Sequence, residues 1–461
     1  MKKYGLFNVL KVFTISLLTL VMVACSSNNE PPQSTGTTEP TKPSEPSPVE
    51  SQATPESQEP ITLRVGWVIP PENQDWPKMF EAFTKKFPWI TVEGVYAENG
   101  EDELIKSIAA GQPLDVIWNT SLDRAIEEDL IEDLTPYAEK DAEFQSYPYR
   151  EGYLDNFKRD GKLYALSRGN DGFFILYNKD LLKQYGLEKP NLDWTWEDFR
   201  TMAKAATNPG AGHFGVANSV WWYNFVSMAL PMANGHAPNM AAMNEDFSKN
   251  LADGSVPEVL DDLNFFHDLM VNDGSLLNTK RAAEVKIEMN SFHIGQSLFF
   301  TAIGPVLPGF KAQFPFEWDI ATMPKGTAKQ VNFGWLSPMS ISKASKHKEA
   351  AWELIKFWDA TKEGQKTLFE FGGSFPNSDD PELIEAFANA QVYEGFDKEV
   401  LKYTPGITRF DPARFIPASQ ELSQTFTDFG AKAYEEEISA HDFFPSRMQK
   451  VNEILQQKLA K

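Results

Sequence analysis

From Ile61 onward the chain alternates between two hydrophobic rhythms, and few folds accommodate that alternation. ITLRVGW (61–67) reads as a strand. In WPKMFEAFTKKFP, Met79, Phe80, Phe83 and Phe87 recur at helical spacing until Pro88 stops the run. WITVEGVYA is a second strand, EDELIKSIAAGQ a helix ended by Gly111, and LDVIW a short third strand. This βαβαβ order predicts a parallel sheet with right-handed crossovers. GKLYALSR and GFFILYNKDLLKQYG repeat the pattern of strand followed by helix. KHKEAAWELIKFWDAT predicts an amphipathic helix burying Ala351, Trp352, Leu354, Ile355 and Trp358. The 401 residues from Ile61 exceed one ordinary core, so two domains are expected.

The first sixty residues follow different rules. Lys2 and Lys3 precede an apolar run, Val12 to Ala24, whose helix would span about 20 Å, short of a hydrocarbon core of roughly 30 Å. The pattern predicts a signal peptide over 1–24. Met22, Val23, Ala24 and Cys25 resemble a bacterial lipobox, with Met22 where Leu is usual. That resemblance implies lipidation of Cys25, which becomes the mature N-terminus and is held at the outer face of the cell membrane by its acyl chains. As the single cysteine of the chain, Cys25 leaves no intrachain disulfide. Residues 25–60 are built from Ser, Thr, Pro, Glu and Gln, too polar to offset the entropy of ordering, and read as a disordered tether.

The formal charge is −22, and removal of Lys2, Lys3 and Lys11 makes it −25. A nucleic-acid role is not expected of such a chain. Six histidines (213, 236, 267, 293, 347, 441) show no zinc spacing, and no HExxH, CxxC, G-x-S-x-G, Walker or G-x-G-x-x-G motif occurs. No motif therefore points to an enzyme, a metal or a cofactor, and none is expected. Sixty-five carboxylates could supply a glycosidase pair, but nothing singles one out.

The aromatic residues carry more information. Trp67 and Trp118 end the first and third strands, and open α/β sheets bind ligands beyond the carboxyl ends of their strands. Indole faces stack on the C–H faces of sugars while neighbouring polar groups bond the hydroxyls. Asp115 and Asn119 flank the third strand. Trp221, Trp222 and Trp335 lie in loop-rich settings and join the candidates, whereas Trp352 and Trp358 are assigned to the core.

GKLYALSRGNDGFFILYNKDLLKQYGLEKPNLDWTWEDFRTMAKAAT (161–207) is similar to the signature region of extracellular solute-binding proteins of ABC importers, in particular the family containing maltose- and oligosaccharide-binding proteins. The matching pieces are the G-K-x-Y-A-L strand, Tyr177 to Leu182, and Thr195 to Phe199, with FEAFTKKFPWITVE, GQPLDVIW, FFTAIGP, DIATMPKG and SPMSISKASKHKEAAWELIKFW following in order. The resemblance runs from about Ile61 to Phe375 and is loose over the last 80 or so residues. It implies a periplasmic-binding-protein-like α/β fold, with lobes at 61–168 plus 303–357 and 171–302 plus 358–461, and a ligand held in the cleft by lobe closure. The crossings fall near Arg168 to Asp171, Ile303 to Pro305 and Phe357 to Ala360. Arg168, Asn170 and Asp171 become candidate ligand contacts, against the alternative of a surface turn at RGNDG. Gly304 is a further candidate, although Val306 stands where many relatives carry an aromatic. Arg409 and Asp411 offer a rim contact or an ordinary loop salt bridge.

The reading is a monomeric, lipid-anchored binding protein that delivers a neutral or weakly charged oligosaccharide to an ABC permease. Three alternatives stay open. The same fold could bind a polyamine, peptide, phosphodiester or metal chelate. A surface glycoside hydrolase would show turnover, and a cell-wall or sensor lipoprotein would lack a permease partner.

Overall fold

A computed structural model of the protein describes residues 59–70, 76–119, 121–287, 290–371, 374–410 and 416–460. The expected signal peptide, Cys25, Asp411 and nearly all of the tether lie outside the described residues.

The opening alternation folds as read. Strands β1 (Ile61–Trp67), β2 (Ile90–Tyr96) and β3 (Val116–Trp118) are joined by helices α1 (Trp76–Lys86) and α2 (Gly100–Ala109). β1 lies between β2 and β3 and runs parallel to both. Met79 and Phe83 of α1 are fully buried against this sheet, while Phe87 lies just past the helix end and packs on Phe83. Asn99 caps α2, its side-chain oxygen accepting from the Asp102 N–H at 2.9 Å. Glu101, Asp102 and Glu103 then occupy the positive end of the helix dipole.

Beyond β3 the sheet is no longer parallel. β4 (Lys158–Arg159) and β5 (Lys162–Leu163) form a separate hairpin. The main sheet then gathers β6 (Leu166–Asn178), β7 (Phe214–Val216), β8 (Ser297–Ile303), β9 (Trp318–Ala321), β10 (Asn332–Ile341) and β11 (Thr408–Phe410). Its order is β2-β1-β3-β10-β6-β8-β7, with β9 on β6 and β11 on β10. β10 is antiparallel to both β3 and β6, so along the main path parallel pairing holds only at the two ends, with β11 adding a parallel pair on β10.

RGNDG, rich in turn formers, lies inside β6, with Asn170 opposite Leu336 and Asp171 opposite Trp335. Long-range pairing overrides its local preference. The first half of β6 pairs with β10 and its second half with β8 and β9. This strand therefore links two bodies of packing. One contains Leu63, Val65, Leu104, Ile117, Leu166 and Met339. The other takes the far half of β6 on both faces, Phe173, Ile175 and Tyr177 on one and Phe174 and Leu176 on the other. The helices Ser419–Glu436 and Ala440–Leu459 add Phe426, Phe429, Phe443 and Phe444 to the face of Phe173.

The helix Lys348–Ala360 buries Ala351, Trp352, Leu354, Ile355 and Trp358 as its stripe predicts. Among the described residues no helix is long and apolar enough to cross a membrane.

Asp359, near the end of that helix, is fully buried. Tyr149 donates to its Oδ2 at 2.7 Å and the Asn377 amide to its Oδ1 at 3.1 Å. The Tyr153 hydroxyl lies 3.1 Å from Asp359 Oδ1 and 2.7 Å from Asn170 Oδ1. One phenolic proton serves only one of these acceptors well. A proton on Asp359 resolves the conflict, because Tyr153 then accepts from Asp359 and donates to Asn170. Burial agrees, pushing Asp359 up to about 7 against the hydrogen bonds from Tyr149, Tyr153 and Asn377.

The folded state thus keeps a proton that the unfolded chain, ionising near 4, releases. The contribution is fully present below that value and lost as pH rises through about 7. Between pH 4 and 7 the wild type should lose up to about 1.4 kcal/mol per pH unit relative to Asp359→Asn, read by urea unfolding. Parallel stability curves for the two proteins would contradict a protonated Asp359.

Candidate ligand cleft

The carboxyl ends of β1 and β3 bring Trp67 and Trp118 together, edge to face, with centroids 5.2 Å apart. Their environments differ. Trp67 is fully buried, packed on Phe80 and Trp358 as well, while Trp118 is half-buried. Trp67 therefore backs Trp118 and presents no exposed face of its own. The start of α2 presses on the same strand end. A Cβ added at Gly100 would sit 2.1 Å from the Trp118 carbonyl oxygen, so only glycine permits this approach.

Over both indoles lies Arg168. Its guanidinium carbon is 4.4 Å from the Trp118 ring centroid and 5.1 Å from that of Trp67. Burial draws this guanidinium below its ordinary value, and the Asp171 charge opposes the shift. Asn119 follows Trp118 and is held by two bonds, its N–H donating to the Pro338 carbonyl and its side-chain amide to Ser340 Oγ. Its side-chain oxygen, Oδ1, is buried and receives no hydrogen bond.

A second aromatic group stands on the β6–β10 pair. Trp335, opposite Asp171, packs on Phe173 at 5.2 Å and Phe225 at 4.7 Å. Trp221 leans on the same two phenylalanines. Trp221, Phe225 and Trp335 remain partly exposed over the buried Phe173 and Phe333. Gly304 directly follows β8, whose last residue Ile303 pairs with Phe173. Phe225 was invisible as a candidate because its only signal is spatial.

Other candidates fall elsewhere. Trp222, the immediate neighbour of Trp221, turns into the core, fully buried against Phe199 and Phe266 with its ring N–H donating to the Ala217 carbonyl. Asp115 sits at the opposite end of β3, where its carboxylate accepts from the Arg64 N–H and from Ser345 Oγ. Asn170 points to the other face of β6, bonded by Tyr153 and donating to the Phe375 carbonyl. Arg409 lies exposed on β11, opposite Phe333, and donates to the Gly406 and Thr408 carbonyls.

A separate polar crevice of about 670 Å³ begins three residues beyond Trp118, at Ser121. Asn99, Ser121 and Arg124 line one side, and Gln420, Gln424 and Thr427 the other. These groups lie about three hundred positions apart, so no local pattern could pair them. Ser121 is fixed by its N–H, which donates to the buried Glu101 carboxylate at 3.0 Å. Among the described residues no group of three or more His, Cys, Asp or Glu is arranged to hold a metal ion. The arrangement suits a ligand with flat apolar faces and many hydrogen-bonding edges.

The sequence profile of a family described as bacterial extracellular solute-binding protein matches residues 69–366. The arabinooligosaccharide-binding protein of Bacillus subtilis is 22% identical over 322 residues, covering 66% of this chain and 70% of that protein. The sugar-binding protein MalE of Xanthomonas citri superposes with a TM-score of 0.69 at 18% identity, covering 87% of this chain and 98% of that one. An ABC substrate-binding protein of Listeria monocytogenes, solved with cycloalternan, gives 0.68 at 21% identity, covering 86% and 98%. The fold is accordingly periplasmic-binding-protein-like, two α/β lobes about a hinge.

Proposed function

We propose that this chain, which belongs to the family of bacterial extracellular solute-binding proteins, captures an oligosaccharide and delivers it to the permease of an ABC importer. The observation that carries the ligand class is the pair of partly exposed aromatic surfaces, Trp118 on the core of β1 to β3 and Trp221 with Trp335 on the core around Phe173. Relatives whose names specify arabinooligosaccharide, sugar and cycloalternan support the same class.

The mechanism is binding followed by lobe closure about the β6 segment 168–171, with no covalent step; the expected crossings at 303–305 and 357–360 each have both flanks in one body of packing and are not pivots. Ligand favours the closed state by the difference between its affinities for the two states. Cys25 carries a lipid that keeps the monomer outside the cell membrane, and the polar stretch 26–60 supplies reach.

A calorimetric screen of the full chain against oligosaccharides tests the ligand class. One sugar class should bind with no product formed. Trp118→Ala and Trp335→Ala should each weaken it by about 1–3 kcal/mol while the melting temperature stays near that of the wild type. Unaltered affinity in both variants would remove the indoles from the site, and turnover would overturn the transport reading.

Expressed in a bacterium with its full leader, the protein should partition with membranes, and Cys25→Ser should release it. Retention of the serine variant on membranes would rule out the lipid on Cys25.

A further inference from the structure

Arg168 is only 4% exposed, and its guanidinium donates no hydrogen bond and forms no ion pair among the described residues. Its Nε is fully buried without a partner. Every other arginine among the described residues, at 64, 124, 150, 159, 200, 281, 409 and 447, donates to at least one oxygen. Buried charges are normally paired, because desolvation is offset only by an opposite charge and good hydrogen bonds. Here the indoles of Trp67 and Trp118 supply cation–π attraction and Asp171 supplies a field. Neither indole accepts in the plane of the guanidinium. That planar fork matches a carboxylate, which takes two parallel N–H bonds and cancels the charge. A sugar hydroxyl accepts one bond and leaves the charge in place. Beside the same indole, Asn119 Oδ1 is a second unpartnered buried atom, and it is an acceptor. An anion next to a hydroxyl would satisfy both.

We propose that Arg168, seated on the Trp67–Trp118 platform, is the anion-recognising group of the cleft, and that the preferred ligands are acidic oligosaccharides bearing a uronic-acid carboxylate. This inference rests on the carbohydrate reading and departs from the neutral or weakly charged ligand expected of the sequence. A protein of net charge −22 repels anions in general, so a local cation is what admits one.

The test is calorimetry of the full chain with oligogalacturonides, oligoglucuronates and oligomannuronates. Each is paired with its carboxyl-reduced counterpart, which keeps the linkage and loses the charge. In at least one pair the acid should bind ten times or more tighter, and the advantage should shrink with added salt. Arg168→Gln should bring the acid-to-reduced ratio close to one. Arg168→Lys, which keeps charge without the fork, should give an intermediate ratio and serves if the glutamine variant does not fold. The proposal is overturned if reduced forms bind as well as acids, if the acid preference survives in Arg168→Gln, or if that variant shifts both members of a pair equally, as a packing residue would. Stronger binding of a phosphorylated sugar in a parallel titration would overturn the carboxylate assignment. Binding of neutral oligosaccharides alone would sink this inference and spare the carbohydrate reading, whereas no binding by any sugar would sink both.

Discussion

A strand that passes between two bodies of packing must find backbone partners at every step, because each buried N–H and C=O left unpaired costs free energy. β6 meets that demand over thirteen residues by changing partners midway, from β10 to β8 and β9. The rest of the structure follows from this strand. It separates the core around β1 to β3 from the core around Phe173 and Phe174. Its side chains alternate, so Asn170 faces the buried network of Tyr153 and Asp359 while Asp171 lies beside Trp335.

What the sequence revealed depended on the range of the signal. β1, α1, β2, α2 and β3 were legible because each rhythm is complete within a dozen residues. The same holds for Lys348–Ala360, whose tryptophans are core. At RGNDG a turn stayed open as the alternative to a crossing segment, because its pairing with Leu336 and Trp335 is remote. The aromatic candidates divided on details finer than pattern. Trp221 and Trp222 are adjacent, yet one stays partly exposed and the other is fully buried in the core. Asp115 and Trp118 share a strand and stand at its opposite ends. The family resemblance makes Arg168 a candidate ligand contact at the first crossing. Its seat on Trp67 and Trp118, drawn from about 100 and 50 positions away, has no trace in local composition.

Charge adds a constraint that aromatic placement alone does not. An indole wall accepts many sugars, since any pyranose offers an apolar face. Discrimination comes from buried polar groups that only the right ligand satisfies, because leaving them unpaired is costly. Beside Trp118, Arg168 Nε and Asn119 Oδ1 are buried polar atoms of that kind.

The central claim is capture between two lobes that close, and a distance across the crevice measures it. Glu127 and Gln424 are exposed on its opposite rims. With Cys25→Ser in place, Glu127→Cys and Gln424→Cys give two labelling sites and no others. Pulsed electron-spin distance measurement, with and without saturating oligosaccharide, should show the distribution move to shorter values and narrow on binding. An identical distribution, with binding verified in the same sample, would contradict capture by closure.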